Sequence, residues 1–179
     1  MVEIEEDVRR LEHFKLVKKL GDGTFGVGWE AVDTTSNDVV CVKVFKDDTA
    51  ISEKSFKDEL NIGYLQLEHP NVIRMLGAGR NHLTLGEEDL GEKYFIVSEL
   101  AENGELFDFV QEAGGLEAEY VRQFMQQLMS GMAYIHSKKV AHRDMKLENC
   151  FLDSDVCLKI ADFGLHKVFE GEDSTALRT

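Results

Sequence analysis

Proline, tryptophan and cysteine are scarce in this chain of 179 residues, which contains one proline, one tryptophan and three cysteines. The cysteines, Cys41, Cys150 and Cys157, are odd in number and have no metal-ligand spacing, which predicts neither a disulfide framework nor a zinc site. No apolar run approaches membrane-spanning length, and the acidic start MVEIEED is the opposite of a signal peptide's basic end. We therefore expect an intracellular protein, cytoplasmic with the nucleus as the alternative, and no membrane partner.

Basic residues are also in deficit, with 20 lysines and arginines against 34 acidic residues and a net charge of −14. A nucleic-acid-binding domain carries a basic surface, so nucleic acid is excluded as the expected partner. The charge fits cationic partners better, although diffuse acidity also serves solubility alone. A hydrophobic content of 43% over this length is sufficient for one domain with a substantial core.

The hydrophobic pattern predicts strands in the first hundred residues and helices afterwards. Three strands are predicted at Phe14–Leu20, Val27–Asp33 and Val39–Phe45. A short surface helix is expected over Glu3–His13, and a polar loop over Arg80–Lys93. This order indicates an α+β fold with two lobes and a short hinge near residue 100.

Two helices are predicted from apolar spacing. Ser52 is expected to cap the first, with Phe56, Leu60 and Leu67 as its apolar residues. The second runs from Leu116 to His136, and its buried stripe is predicted to consist of Val121, Phe124, Leu128, Met132 and Ile135.

The stretch Ala141–Gly164, AHRDMKLENCFLDSDVCLKIADFG, carries the densest set of chemically active residues. Its apolar segments Cys150–Leu152 and Val156–Ile160 flank an acidic turn and predict a hairpin. Folding of this hairpin would bring Asp144, Asn149 and Asp162 together. Oxygen ligands suit magnesium, so the stretch indicates a magnesium and phosphate site. The alternative is a hairpin whose turn is acidic only for solubility.

The sequence Gly21-Asp22-Gly23-Thr24-Phe25-Gly26 is a GxGxxG pattern, which alone is a weak signal. A dinucleotide-binding site would need a helix immediately after the glycines, whereas Val27–Asp33 has the pattern of a strand. Strand, glycines and strand together suit a loop whose backbone N–H groups approach a phosphate. A plain flexible hairpin turn is the other interpretation.

Lys43 lies inside the apolar strand VVCVKVF, where an unpaired lysine is unusual. Glu59 lies at the border of the apolar face of the following helix, so a buried Lys43–Glu59 pair would account for both residues. An edge-strand lysine that discourages aggregation is the alternative.

These patterns, in this order, resemble the eukaryotic serine/threonine protein kinase catalytic domain from Phe14 to Thr179, and most closely its calcium/calmodulin-dependent kinase-like group. The resemblance implies a two-lobed fold with an antiparallel-sheet N-lobe carrying one helix and an incomplete, mainly helical C-lobe. The implied organisation is an acidic extension over 1–13 and a kinase domain over 14–179. Within that domain the N-lobe would span 14–99, the hinge 99–103 and the partial C-lobe 104–179.

The resemblance also implies ATP and Mg²⁺ as cofactors and assigns roles to individual residues. Asp144 would be the catalytic base, and Lys146 would hold the transferring phosphate. Lys43, paired with Glu59, would contact the nucleotide phosphates, and Asn149 and Asp162 would bind magnesium. The implied ATP-binding residues are Leu20, Gly21, Asp22, Gly23, Thr24, Phe25, Gly26, Val27, Gly28, Cys41, Lys43, Glu99, Ala101 and Glu105. Gly28 stands where the family usually has valine.

Protein substrates are implied as partners, with a preference for basic ones if Glu105 and Glu148 face the substrate rather than solvent. Arg143 would pair with a phosphate on the activation loop, where an upstream activating kinase would modify Ser174, Thr175 or Thr179. These three residues are otherwise ordinary polar loop residues.

Pro70 is the only proline, so no Ala-Pro-Glu segment is present and the resemblance ends inside the activation loop. We therefore expect these 179 residues alone not to form a stable, protein-phosphorylating monomer. The alternative function is a non-catalytic nucleotide-binding or scaffolding module of kinase-like fold.

Overall fold

The computed structural model describes residues 9–24, 26–46 and 50–169. These residues form two compact units. The first comprises the described residues up to Leu60 together with Met75–Leu100, and the second comprises Asn61–Arg74 together with the described residues from Ala101 onward. Strands dominate the first unit and the long helix lies in the second, which confirms the predicted α+β class.

The first unit is a closed antiparallel barrel in the order β1-β2-β3-β4-β6-β5. Its strands are β1 Arg9–Leu11, β2 Phe14–Asp22, β3 Gly26–Asp33, β4 Val39–Phe45, β5 Met75–Leu85 and β6 Glu88–Glu99. The barrel closes because β1 pairs with β2 on one side and with β5 on the other. Closure removes the exposed strand edges that an open sheet would present.

Alternation along the strands divides the apolar residues of this unit between two clusters. Val40, Val42 and Val44 of β4 are buried in the cluster that also contains Leu11 and Phe14. Phe45 belongs to the other cluster, with Phe56 and Ile96. Phe56 lies on α1, which spans Ala50–Gly63, and its ring is edge-on to Phe45 at 5.6 Å. Burying each such side chain contributes about 1.5–3 kcal/mol.

The start of the described chain differs from the predicted surface helix. Arg9–Leu11 is a strand, Leu11 is fully buried, and the Arg9 guanidinium lies 4.9 Å from the Trp29 ring centroid. Glu12 and His13 form a turn, and residues 3–8 of the predicted helix lie outside the described residues. The helix prediction was wrong for Arg9–Leu11 because two neighbouring strands supply hydrogen-bond partners that local spacing does not reveal.

The polar segment Arg80–Lys93, predicted to be a loop, forms most of a long hairpin of β5 and β6 with a turn at Gly86. The Arg80 and Glu92 side chains pair across the strands at 3.0 Å, and His82 Nδ1 lies 2.7 Å from Asp89 Oδ2. Cross-strand charge pairs of this kind favour strand pairing. The prediction was wrong because polarity was taken to exclude a strand.

The second unit contains two α-helices, α2 Leu106–Glu112 and α3 Ala118–Ser137, and several short strands. A two-residue strand, β7 Val140–Ala141, precedes a 3-10 turn at Leu147–Asn149. The predicted hairpin is confirmed, with β8 Cys150–Leu152 paired to β9 Leu158–Ile160. The last strand, β10 Lys167–Val168, pairs with β7.

The stripe of α3 is buried at Phe124 and Ile135, and Leu128 and Met132 pack against the same cluster. Val121 does not follow this pattern, since 44% of it is exposed. It lines an apolar groove of about 210 Å³ with Phe124 and Leu147, so the predicted stripe was wrong at its N-terminal end.

The other predicted helix also differs in its ends. It begins at Ala50, so Ser52 lies within α1 and is not its cap. Leu67 lies beyond the end of α1 at Gly63, although it is buried in the core cluster of the second unit. Single-residue signals fix helix ends poorly because tertiary packing decides how far the last turns persist.

Candidate functional site

The glycine-rich sequence forms a tight connection between β2 and β3. Gly23 N–H donates to the Gly26 carbonyl at 2.9 Å, and Gly26 is opposite Phe45 in the register of β3 and β4. A Cβ at Gly26 would lie 2.8 Å from the Val44 carbonyl oxygen, so only glycine fits there without a shift of the backbone. Phe25 lies outside the described residues.

Gly28 is different, because a Cβ there would meet nothing closer than Leu20 Cβ at 3.9 Å. The backbone therefore leaves room for a Cβ at this position. Leu20 itself is 44% exposed.

Lys43 Nζ donates a hydrogen bond to Glu59 Oε1 at 2.5 Å, which joins β4 to α1. Only 9% of the Glu59 side chain and 27% of the Lys43 side chain are exposed. Glu59 is one of few buried charged groups, and a buried carboxylate needs an opposite charge and hydrogen bonds. The structure thus brings together the two residues that the sequence suggested as a pair.

Cys41 and Glu99 lie on adjacent strands of the barrel. Cys41 is opposite Ser98, and Val40 is opposite Glu99, in the register of β4 and β6. Burial raises the pKa of the Cys41 thiol, against smaller effects of Ser98 and Lys43 that lower it. Cys41 is therefore a neutral thiol at physiological pH.

In the second unit, Asp144 is held by two of the residues predicted to act with it. The Asn149 amide nitrogen donates to the Asp144 backbone carbonyl at 2.7 Å and to its Oδ2 at 3.0 Å. Lys146 Nζ lies 3.2 Å from Asp144 Oδ2. This lysine, and to a lesser degree Asn149, lowers the pKa of Asp144, and Asp144 raises the pKa of Lys146. Asp144 is therefore ionised and Lys146 is protonated.

Asp162 is connected to Asn149 through the backbone, since the Ala161 N–H donates to the Asn149 carbonyl at 2.9 Å. Asp162 has a left-handed backbone, with φ of 57°, and its Oδ1 accepts the Gly164 N–H at 3.3 Å. The segment after the hairpin is thus held at its start by the loop that carries Asn149.

His142 and Phe163, for which no role was predicted from the sequence, support this arrangement. His142 is 1% exposed, and its Nε2 lies 2.9 Å from the Ala161 carbonyl oxygen. Its Nδ1 accepts the Asp144 N–H at 3.3 Å, and its ring lies 4.8 Å from that of Phe163. Burial lowers the pKa of His142, against smaller opposing effects that include the Ala161 carbonyl and Asp162. In the sequence, the available signal was that His142 lies two residues before Asp144.

The residues predicted to hold magnesium offer few donor atoms. Within residues 9–24, 26–46 and 50–169, no three His, Cys, Asp or Glu residues form a cluster that could hold a metal. Asn149 and Asp162 supply one amide oxygen and one carboxylate, which are oxygen donors of the kind that Mg²⁺ prefers. Mg²⁺ is usually bound by one or two carboxylates with water and phosphate oxygens, so this sparse set fits magnesium brought with a nucleotide.

Glu105 precedes α2 and forms an isolated β-bridge with Phe151. Burial raises the pKa of Glu105, and Asp108 and Glu148 raise it further, while Lys146 lowers it. The predicted substrate-facing acids Glu105 and Glu148 are therefore close enough to interact with each other and with Lys146.

Arg143 has a left-handed backbone, with φ of 66°, and its Nε donates to the Leu165 carbonyl at 2.7 Å. It is thus held against the segment that follows Asp162. The predicted phosphorylation sites Ser174, Thr175 and Thr179 lie outside the described residues. Ala101 lies in the second unit, where its carbonyl accepts the Gly104 N–H at 3.3 Å.

A comparison with protein-family models matches residues 14–179 to the protein kinase domain. The match covers almost the whole chain, and the chain therefore belongs to the protein kinase family.

Three curated relatives are similar to it. Serine/threonine-protein kinase SAPK9 of Oryza sativa subsp. japonica is 39% identical over 87% of this chain and 41% of its own length. Serine/threonine-protein kinase SRK2E of Arabidopsis thaliana is 38% identical over the same shares. CBL-interacting protein kinase 8 of Oryza sativa subsp. japonica is 36% identical over 96% of this chain and 37% of its own length. The chain thus spans about two fifths of the length of these relatives.

Proposed function

We propose that this chain carries the catalytic residues of a serine/threonine protein kinase that transfers phosphate from ATP to proteins. The observation that carries the proposal is the ionised Asp144 held between Lys146 at 3.2 Å and Asn149 at 3.0 Å. A side chain in this state can accept the proton of an attacking hydroxyl, and the neighbouring lysine can stabilise negative charge at the same place.

ATP bound with magnesium would supply the phosphoryl group and a divalent charge that neutralises it. Lys43, oriented by Glu59, binds the phosphates in this proposal, and Asn149 and Asp162 hold the magnesium. Asp144 orients the substrate hydroxyl and accepts its proton, while Lys146 stabilises the transferring phosphoryl group. Phosphoryl transfer depends mainly on positioning and electrostatics, and the fixed contacts of Asp144 and Lys43 fit that requirement.

Serine and threonine are proposed as acceptors because Lys146 occupies the position typical of serine/threonine kinases and forms an ion pair with Asp144. A preference for basic proteins is supported by the acids Asp108 and Glu148, each of which interacts with Glu105. Raising of the Glu105 pKa by its acidic neighbours indicates that a cation near them would be stabilised.

We also propose an intracellular location and control by phosphorylation after residue 169. The thiols of Cys41, Cys150 and Cys157 are free, as in proteins of a reducing compartment. In the part of the chain that the structure describes, no helix is long and apolar enough to cross a membrane. Arg143, whose Nε donates a hydrogen bond to the Leu165 carbonyl, is the cation proposed to bind the activating phosphate.

The test is transfer of a labelled γ-phosphate, by this chain joined to the remaining C-lobe of a kinase domain, to arginine-containing peptides that differ only in carrying serine, threonine or tyrosine. We expect label on the serine and threonine peptides, and loss of transfer in Lys43→Met and in Asp162→Asn with circular dichroism unchanged. Lys18→Met is the matched control, since Lys18 is an exposed lysine of β2. Equal transfer by Lys43→Met and the wild-type chain would contradict the assignment.

A further inference from the structure

A lysine that follows β4 contacts the glycine-rich turn, defined here by Asp22, Gly23 and Gly26. Lys46 Nζ donates to the Gly23 carbonyl at 2.8 Å and also forms an ion pair with Asp22. Lys19 Nζ lies 2.6 Å from the other Asp22 carboxylate oxygen. Because Lys46 follows β4, it ties the turn to a strand that does not form the β2–β3 hairpin.

The turn is therefore held at three of its residues. Gly23 N–H and the Gly26 carbonyl close it at 2.9 Å, and Gly26 packs against the backbone of Val44 so closely that a Cβ would not fit. Lys46 adds the contacts at Asp22 and at the Gly23 carbonyl. An exposed ion pair alone would contribute little, but one ammonium group that also binds a turn carbonyl restrains the backbone itself.

The combined charge of Asp22, Lys19 and Lys46 also suits an anionic ligand. A carboxylate in a turn that receives phosphates would repel them, whereas Asp22 with Lys19 and Lys46 carries one net positive charge. Hydrogen bonds from Lys19 and from Lys46 lower the pKa of Asp22 to about 2, so the set stays charged at neutral pH.

We propose that Lys46 is a positioning residue that holds the glycine-rich turn in the shape that binds the phosphates of ATP. This inference rests on the proposed function, since it concerns the same nucleotide. Loss of Lys46 would leave the Gly23–Gly26 hydrogen bond and the Lys19–Asp22 ion pair in place, but it would remove the contacts that join Asp22 and the Gly23 carbonyl to the end of β4. We expect ATP affinity to fall by roughly threefold to tenfold, because part of the binding free energy would then be spent on ordering the turn.

The first measurement is the Kd of ATP with magnesium, and of adenosine, for the wild-type chain, Lys46→Met, Lys46→Arg and Lys18→Met. Lys46→Met should weaken ATP binding and leave adenosine binding unchanged, because only the phosphates meet the turn. Lys46→Arg should restore affinity because it can make both contacts. An equal loss for ATP and adenosine, or no loss for ATP, would overturn the proposal.

The second measurement is amide hydrogen exchange of the peptide covering Asp22–Gly26, made without nucleotide. Exchange should be faster in Lys46→Met and unchanged in Lys18→Met. Unchanged exchange in Lys46→Met would show that Lys46 does not hold the turn. If the wild-type chain binds no ATP, the proposed function fails and the effect of Lys46 on affinity fails with it. The exchange result still decides whether Lys46 holds the turn.

Discussion

Gly131→Ala tests how closely α3 must approach the strand that leads to Asp162. A Cβ at Gly131 would lie 2.7 Å from Ile160 Cδ1 and 2.8 Å from the Asn71 carbonyl oxygen. The Asn71 carbonyl in turn accepts the Ile160 N–H at 2.9 Å, two residues before Asp162. The substitution therefore pushes on a hydrogen bond that positions a proposed magnesium ligand.

Two effects of opposite sign compete in this variant. Replacing glycine by alanine inside a helix stabilises it by about 0.8–1.0 kcal/mol. Overpacking a well-packed site costs about 1–3 kcal/mol, and here one of the two close atoms belongs to the backbone and cannot rotate away. We expect the packing cost to win, with a net loss of up to about 2 kcal/mol and a fall of up to about 8 °C in Tm.

Thermal unfolding followed by circular dichroism measures this loss, with Met129→Ala as the control. Met129 is on the same helix and 62% exposed, so its replacement should change stability by less than about 0.5 kcal/mol. A higher Tm for Gly131→Ala than for the wild-type chain would show that helix propensity dominates. It would refute the tight contact between α3 and Asn71.

Three further predictions concern the second unit. Phe124→Ala should cost about 3–5 kcal/mol of unfolding free energy, whereas Met125→Lys, at a position 49% exposed, should cost little and should reduce binding of a hydrophobic dye. Equal destabilisation by both would contradict the assigned helix face. The pKa of His142 lies below its ordinary 6.5, so the neutral, buried imidazole contributes fully to stability above pH 6.5. This contribution is lost as the pH falls through the lowered pKa. His142→Phe should therefore flatten the dependence of unfolding free energy on pH between about pH 7 and about pH 5. An unchanged slope would show that another group titrates. Phosphatase treatment should lower kinase activity in the wild-type protein but not further in Arg143→Ala, and an equal fall in both would contradict the proposed role of Arg143.

The residues of the candidate site could be predicted because their chemistry is carried by short local sequences. The hairpin of Cys150–Leu152 and Leu158–Ile160 follows from two short apolar segments on either side of an acidic turn. The Lys43–Glu59 contact followed from a charge placed inside an apolar strand, because such a charge requires an opposite partner.

The parts that the sequence did not predict depend on partners distant along the chain. Arg9–Leu11 is a strand because β2 and β5 flank it, and β5 lies more than sixty residues away. In the polar hairpin around Arg80 and Glu92, opposite charges face each other across the strands, and a pattern of hydrophobicity does not record such pairs. Lys46 carried no local signal, since its contacts at Asp22 and Gly23 join separate segments.

The most direct test of the central claim is a calorimetric titration of ATP into the chain in magnesium and in EDTA, repeated with Asp162→Asn. The claim is that this chain binds ATP through magnesium held at Asp162. We predict saturable binding in magnesium, a loss of at least about tenfold in affinity in EDTA, and little further effect of EDTA in Asp162→Asn. Equal affinity for ATP with and without magnesium in the wild-type chain, or no binding under either condition, would contradict the account.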